Sequence, residues 1–214
     1  MRMHSYLKTL ALALPLAVLA TGCILIPEIE DRIVELAVGH SIVVPFVSSG
    51  ETNTHNKTST INVALDVSLD QILADNGIDA TAVKDVKLAG VSYRVTTAEA
   101  GRSITGGTVE FVRHATSTPP GSPVYIPLVT SFGASAASTT GWITVPLASA
   151  GVTGVNALLT ELLNEAKGLG PATNTWVTYH VSGVSLPLLT PTNFKWEFKL
   201  DLTIVGTFKT KIVN

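Results

Sequence analysis

The side chains that could do chemistry in this chain are few and scattered. Beyond the first segment, histidines stand at His40, His55, His114 and His180. None has another histidine three or four residues away, the spacing that sets two imidazoles on one helix face around a metal. His40 and His55 fall in turn-like stretches and read as solvated loop residues. His180 follows Tyr179 in a β-rich run and reads as a surface or cross-strand partner. Asp66, Ser68 and Asp70 have the alternate oxygens that open a calcium loop, as do Asp75, Asn76, Gly77 and Asp79. Such a loop also needs a glycine at a set place and a later bidentate Glu. The glycine is misplaced and the Glu missing, so these residues read as caps, for which Asp and Ser are favoured. Glu161 and Glu165 share a helix face and could pair as acid and base, but a solvated face accounts for them more simply. Asn56-Lys57-Thr58 has the form of a glycosylation acceptor. No G-x-S-x-G, H-E-x-x-H, P-loop or dinucleotide fingerprint occurs. Triads assemble from residues far apart in sequence, and His114, His180, Asp66 and Glu110 are the groups from which one would be built. No catalytic residue, metal ligand or cofactor is expected, and the chain reads as no enzyme.

One residue carries a specific chemistry by its position. Arg2, His4 and Lys8 make a basic start, residues 7–20 run apolar around Pro15, and Thr21-Gly22-Cys23 follow. A charged head, a short apolar stretch and small residues at the cut are the three parts of a secretory signal. The apolar run is shorter than the roughly 20 residues a spanning helix needs, and Pro15 would kink it. No later segment has such a run, so no transmembrane helix is expected. Ala20-Thr21-Gly22-Cys23, with Leu19 before it, resembles the lipobox of bacterial lipoproteins, with Ala20 where Leu is commoner. The resemblance covers residues 1–23. It implies cleavage before Cys23, acylation of the Cys23 thiol, and a mature chain held to a membrane by acyl chains, each buried CH₂ contributing about 0.8 kcal/mol. It also implies the cell envelope, where Ile24 after the cysteine, in place of Asp, favours the outer over the inner membrane. Cys23 is the only cysteine, which excludes an internal disulfide and any multi-cysteine metal site.

The elements that would position these groups read mostly as strands. Residues 24–31, with Pro27, Glu28, Glu30 and Asp31, form a tether. Residues 33–38 and 42–47 are β-rich runs parted by Gly39-His40-Ser41, a hairpin signal, and Pro45 puts its strand at an edge or a bulge. Residues 48–59 are polar and read as a loop. Ile61, Val63, Leu65, Val67 and Leu69 alternate with polar neighbours, the pattern of a half-buried antiparallel strand. A short helix follows, with a Ser68–Gln71 capping box and Gly77 at its left-handed end; Asp79 caps one further turn. A strand over residues 86–95 changes phase at Ala89-Gly90, where a bulge would absorb one residue. Further strands are expected at 108–113, 125–129 and 142–147, with a small polar loop at 131–141. Val155, Leu158, Leu159, Leu162, Leu163 and Ala166 mark the clearest helix, with Thr153 as N-cap and Gly168, Gly170 and Pro171 as its stop. Residues 176–186 form a strand and 187–193 a proline-bearing turn. A long last strand puts Phe194, Trp196, Phe198, Leu200, Leu202 and Ile204 on one face. Lys195, Glu197, Lys199 and Asp201 on the other guard against edge pairing.

Composition bounds the function. The chain has 214 residues, 46% hydrophobic and 14% charged, with net charge -2. That is ample for a core, too charge-poor for disorder, and without the basic footprint of nucleic-acid binding. The reading is a signal peptide over residues 1–22, an acylated tether over 23–31, and one domain over 32–214. The domain is expected to be an antiparallel β-sandwich of about eight or nine strands with two short helices. The expected function is a non-enzymatic, membrane-anchored envelope lipoprotein with a structural or binding role. The alternative is a carrier of lipid or another hydrophobic ligand in a cavity between the sheets and the helix, with Leu158, Leu162, Trp196, Phe198 and Leu200 as lining residues. The partners this implies are a membrane through acylated Cys23, and an envelope protein or a hydrophobic ligand. The aromatic face of the last strand reads as core; exposed, it would be a sugar- or lipid-binding stripe.

Overall fold

The computed structural model describes residues 29–66, 68–135 and 141–213. The signal-like segment, Cys23 and most of the tether lie outside them. The chain divides into two compact units. One joins Met1–Val34 to Phe208–Asn214; its described residues are the outer ends of two strands, starting at Ile29 and ending at Val213. The other unit, Glu35–Thr207, holds all the rest.

The strands are β1 (Ile29–Glu51), β2 (Thr54–Asn62), β3 (Val83–Ala98), β4 (Ser103–His114), β5 (Ile126–Ser135), β6 (Ile143–Thr144), β7 (Trp176–Leu186) and β8 (Thr192–Val213). They form two four-stranded sheets of order β1-β8-β3-β6 and β2-β7-β4-β5. The assigned pairs β2–β7, β7–β4, β4–β5, β3–β8 and β3–β6 are all antiparallel. Apart from the β4–β5 connection, every link crosses from one sheet to the other. This is the strand order of a double-sheet jelly roll, a β-sandwich of two nested Greek keys. Period-two alternation turns one face of each strand inward. Val91, Tyr93, Phe194, Trp196, Phe198, Leu202 and Ile204 of one sheet bury in the same core as Val109, Phe111, Val129, Val177 and Val181 of the other.

Local signals explain several elements. The helix α2 (Leu69–Asp75) is capped by Ser68, whose hydroxyl accepts from the Gln71 amide at 3.3 Å. Gly77 takes the left-handed conformation after it, with φ 65°. Asp79 caps a 3-10 turn, Ala80–Ala82, by accepting from the Thr81 amide and hydroxyl. The β3–β8 register shifts between Leu88 and Gly90, the bulge expected at Ala89-Gly90. β1 lies at a sheet edge, the position to which Pro45 pointed.

Four expectations are corrected. Residues 33–38 and 42–47 are not a hairpin: Gly39-His40-Ser41 continues extended within the single strand β1, because its neighbour β8 is as long and offers a ladder along it. Residues 48–59 are not a loop; only Thr52 and Asn53 separate β1 from β2, and β2 pairs with β7 throughout. The alternation from Ile61 to Leu69 does not make a strand. β2 ends at Asn62 and a helical turn α1 (Val63–Asp66) follows. Asn62 accepts from the Ala64 amide and Asp66 from the Asn62 amide, a local alternative to the ladder that leaves Leu65 exposed. The principal helix α3 runs Ser149–Ala166, begins at Ala148 with no side-chain cap, and so passes through Thr153.

Candidate functional site

Between the sheets the core is not filled. A cavity of about 140 Å³ lies there, and no polar atom faces it. Phe46 of β1 and Val91, Phe198 and Leu200 of β3 and β8 form the wall from one sheet. Val109, Phe111, Val177 and Val181 of β4 and β7 form the wall from the other. Val155, Leu158 and Leu159 of α3 close one side. Interiors are normally packed to crystal density, with few voids larger than a water molecule. Left empty, a void of this volume costs on the order of 3 kcal/mol at about 24 cal/mol per Å³.

The expected lining residues divide. Leu158, Phe198 and Leu200 stand on the cavity wall. Leu162 and Trp196 are fully buried beside it and are not on the wall. Trp196 stacks on Phe46, which is on the wall, with ring centroids 5.4 Å apart and planes 4° from parallel. The Trp196 indole N–H is buried and finds no hydrogen-bond partner among the described residues. Sequence reasoning missed the contributions of β1 and β2, namely Ile42, Val44, Phe46 and Ile61. Their alternation was visible, but not which strands they would face. The aromatic residues Phe194, Trp196 and Phe198 are core and not a surface stripe.

The histidines take three distinct places. His55, expected in a solvated loop, is corrected to a fully buried residue of β2. Its Nε2 meets the Ser185 hydroxyl and, at 2.9 Å, that of Thr192, and the two hydroxyls lie 2.9 Å apart. Ser185 and Thr192 are fully buried too, so this Ser–His contact opens on no solvent. Val177, Tyr179 and Val181 point into the cavity, so Thr178, His180 and Ser182 lie on the other face of β7. There His180, expected as a surface or cross-strand partner, has Nδ1 2.8 Å from Glu110 Oε1 on β4, and its Nε2 contacts Asn56 of β2. On the same face the buried His114 bonds Thr178 Oγ1 at 2.7 Å and the Thr116 carbonyl at 2.6 Å. His114 and His180 therefore belong to separate cross-strand clusters. Asp66 is used locally by Asn62, and Asp75 by Gln71 at 2.5 Å. Among the described residues no group of three or more His, Cys, Asp or Glu could hold a metal. No helix there is long and apolar enough to cross a membrane.

Two carboxylates are shifted below their ordinary range. Asp79 is lowered by the hydrogen bonds from the Thr81 hydroxyl and amide. Glu161 is lowered chiefly by the Arg113 guanidinium, which donates to it at 2.8 Å, with help from Thr173. Glu161, expected on a solvated helix face, instead bonds Arg113 and Thr173; Glu165 plays no part in these contacts. Arg113 also donates to the Thr173 and Asn174 carbonyls. Glu161 thus pins α3 to the end of β4 and to the connection into β7, which is a structural task.

No protein-family model matches the chain, and no curated protein matches it. Among solved structures it is similar to a tobacco necrosis virus chain, at 10% identity over 82% of this chain and 97% of that one, with TM-score 0.30. It is also similar to a chain of desmodium yellow mottle tymovirus, at 10% identity over 80% and 84%, with TM-score 0.26. A third similarity is to the BFDV capsid protein, at 10% identity over 82% and 95%, with TM-score 0.28. Superpositions this loose carry neither fold nor function to this chain.

Proposed function

We propose that the chain is a non-enzymatic envelope protein, tethered to a membrane through acylated Cys23, whose sandwich serves as a binding module. The observation that carries this reading is Ala20-Thr21-Gly22-Cys23 at the end of a short apolar run, with the chain's single cysteine at the cut. Acyl chains on that thiol would anchor it stably without a spanning helix. Ile24 after the cysteine supports the outer membrane as the destination. The cavity favours a binding role over a purely structural one, since a scaffold gains nothing from an unfilled core.

Detergent-phase partition of the expressed chain and of Cys23→Ser tests the anchor. The parent is expected in the detergent phase with a mass increased by acyl chains, and the variant in the aqueous phase without them. A Cys23→Ser protein that still partitions fully into detergent would overturn the lipoprotein reading.

A further inference from the structure

We infer that the inter-sheet cavity is a binding site for a compact, uncharged, apolar molecule of about one aromatic ring, and not for a lipid or fatty acid. The inference names a ligand class for the binding role proposed above and rests on that role. Volume is the first argument. An engineered protein cavity of about 150 Å³, lined by Leu, Ile and Phe, stays dry and takes up benzene or xenon. The space here is about 140 Å³ with the same kind of wall. Pockets for drug-sized ligands run from roughly 300 Å³ upward, so a long acyl chain does not fit.

Chemistry is the second argument. No polar atom faces the cavity and no charged side chain lines it. A carboxylate or phosphate drawn inside would lose its hydration with no hydrogen bond in return. Water is disfavoured for the same reason, because a buried water needs two to four polar partners.

The half-buried wall residues mark the route in. Ile42 and Val44 lie on β1, and Ile61 lies at the end of β2, with Val63 just beyond it. β1 and β2 are the edge strands of their sheets. Tyr179 and Leu200, on the strands next to these edges, and Val155 of α3 are half-buried wall residues too. The side chains at the β1 and β2 edges touch both the cavity and solvent, so the ligand enters between the two edges.

The test uses the full chain carrying Cys23→Ser, so that neither acyl chains nor detergent compete for the cavity. Benzene, toluene, xenon and palmitate are added separately, and thermal unfolding and methyl NMR are read. Near saturation benzene should raise Tm by about 3 °C or more and shift the methyl signals of Val44, Ile61, Val155 and Leu158. Palmitate should do neither. Val155→Phe puts a ring into the space and should abolish the benzene response while the protein stays folded. Should that variant not fold, Leu158→Ala enlarges the space and should extend the response to naphthalene. No response to benzene, toluene or xenon would overturn the inference, as would a response to palmitate alone. Partition reports on the anchor and benzene on the cavity, so the two readings fail separately.

Discussion

His114 Nδ1 lies against the Thr116 carbonyl, which only accepts, so in the neutral ring Nδ1 carries the proton and Nε2 accepts. Thr178 must then donate to Nε2, and Thr60, 2.7 Å away, must donate to Thr178. The chain of donors has one direction, and its centre is fully buried. Thr178→Val keeps the shape but leaves the Thr60 hydroxyl and the imidazole unpaired. The loss should be about 1–3 kcal/mol in urea unfolding; a midpoint unchanged within error would mean that water takes the place of the hydroxyl. Glu161 predicts a pH dependence. Its folded pKa lies below the ordinary 4.5, mainly through Arg113, so the unfolded chain takes up the proton first as pH falls. The stabilisation is complete above 4.5 and fades as pH drops through the folded value. Partial exposure of the pair, 17% for the Arg113 side chain and 35% for that of Glu161, keeps the effect small. Glu161→Gln should therefore flatten the acid limb of the stability curve below that pH and leave its slope near neutrality alone. An acid limb identical to the parent's would assign the acid sensitivity to other carboxylates.

At the scale of elements, α3 shows tertiary approach overriding propensity. Two glycines stand in its first turns although each costs a helix roughly 1 kcal/mol against Ala. A Cβ on Gly151 would stand 2.3 Å from the Pro127 carbonyl oxygen and 2.6 Å from the Leu128 Cα. Those are backbone atoms of β5, and they cannot step aside. A Cβ on Gly154 would meet side chains alone, the Phe111 ring at 3.0 Å and Ile126 Cδ1 at 3.8 Å. Gly151→Ala should therefore destabilise by about 1–3 kcal/mol despite its better propensity, and Gly154→Ala by clearly less. Equal effects would show that contact with β5 does not set the helix position. Asn156, on the more polar side of the helix, accepts from the Leu88 amide at 2.8 Å, beside the β3 bulge. Leu162 is buried and is not on the cavity wall, so Leu162→Ala makes a new void. It should cost about 2–5 kcal/mol, read as a lowered denaturation midpoint; an unchanged one would mean that the helix does not dock.

The whole molecule is closed by its last strand. β8 lies between β1 and β3, so the middle of that sheet waits for the end of the chain. It pairs Val91 with Leu200 and Val95 with Trp196, each more than 100 residues apart. Loop closure of that length precedes any gain from the contacts, and folding dominated by such pairs is slow. Refolding followed by tryptophan fluorescence should take milliseconds to seconds or longer. A chain cut before Thr192 should show no cooperative unfolding, having lost Phe194, Trp196, Phe198, Leu202 and Ile204 from the core. Cooperative melting of the truncated chain would mean that the sheet β2-β7-β4-β5 is stable by itself.

Some of this was legible in the residues alone. Strict alternation over β8 named its inward face, and the run over 176–186 named β7 as a strand; Ser68, Gly77 and Asp79 named their caps. These signals act within a few residues, through side-chain parity and through local hydrogen bonds. The sandwich class followed from them. Other features depended on partners remote in sequence. Residues 54–59 looked like a polar loop, yet they form a strand because β7 lies beside them, with Thr54, Asn56 and Thr58 on the outward face opposite Val184, Ser182 and His180. His55 looked solvated, and the crossing of β8 beneath it supplied Thr192 and the covering Trp196 ring. Two glycines hid the true start of α3 until β5 showed why they are needed. The cavity belongs to this second group as well. Apolar periodicity says which side chains turn inward, but only the spacing of two sheets and a helix decides whether those side chains meet.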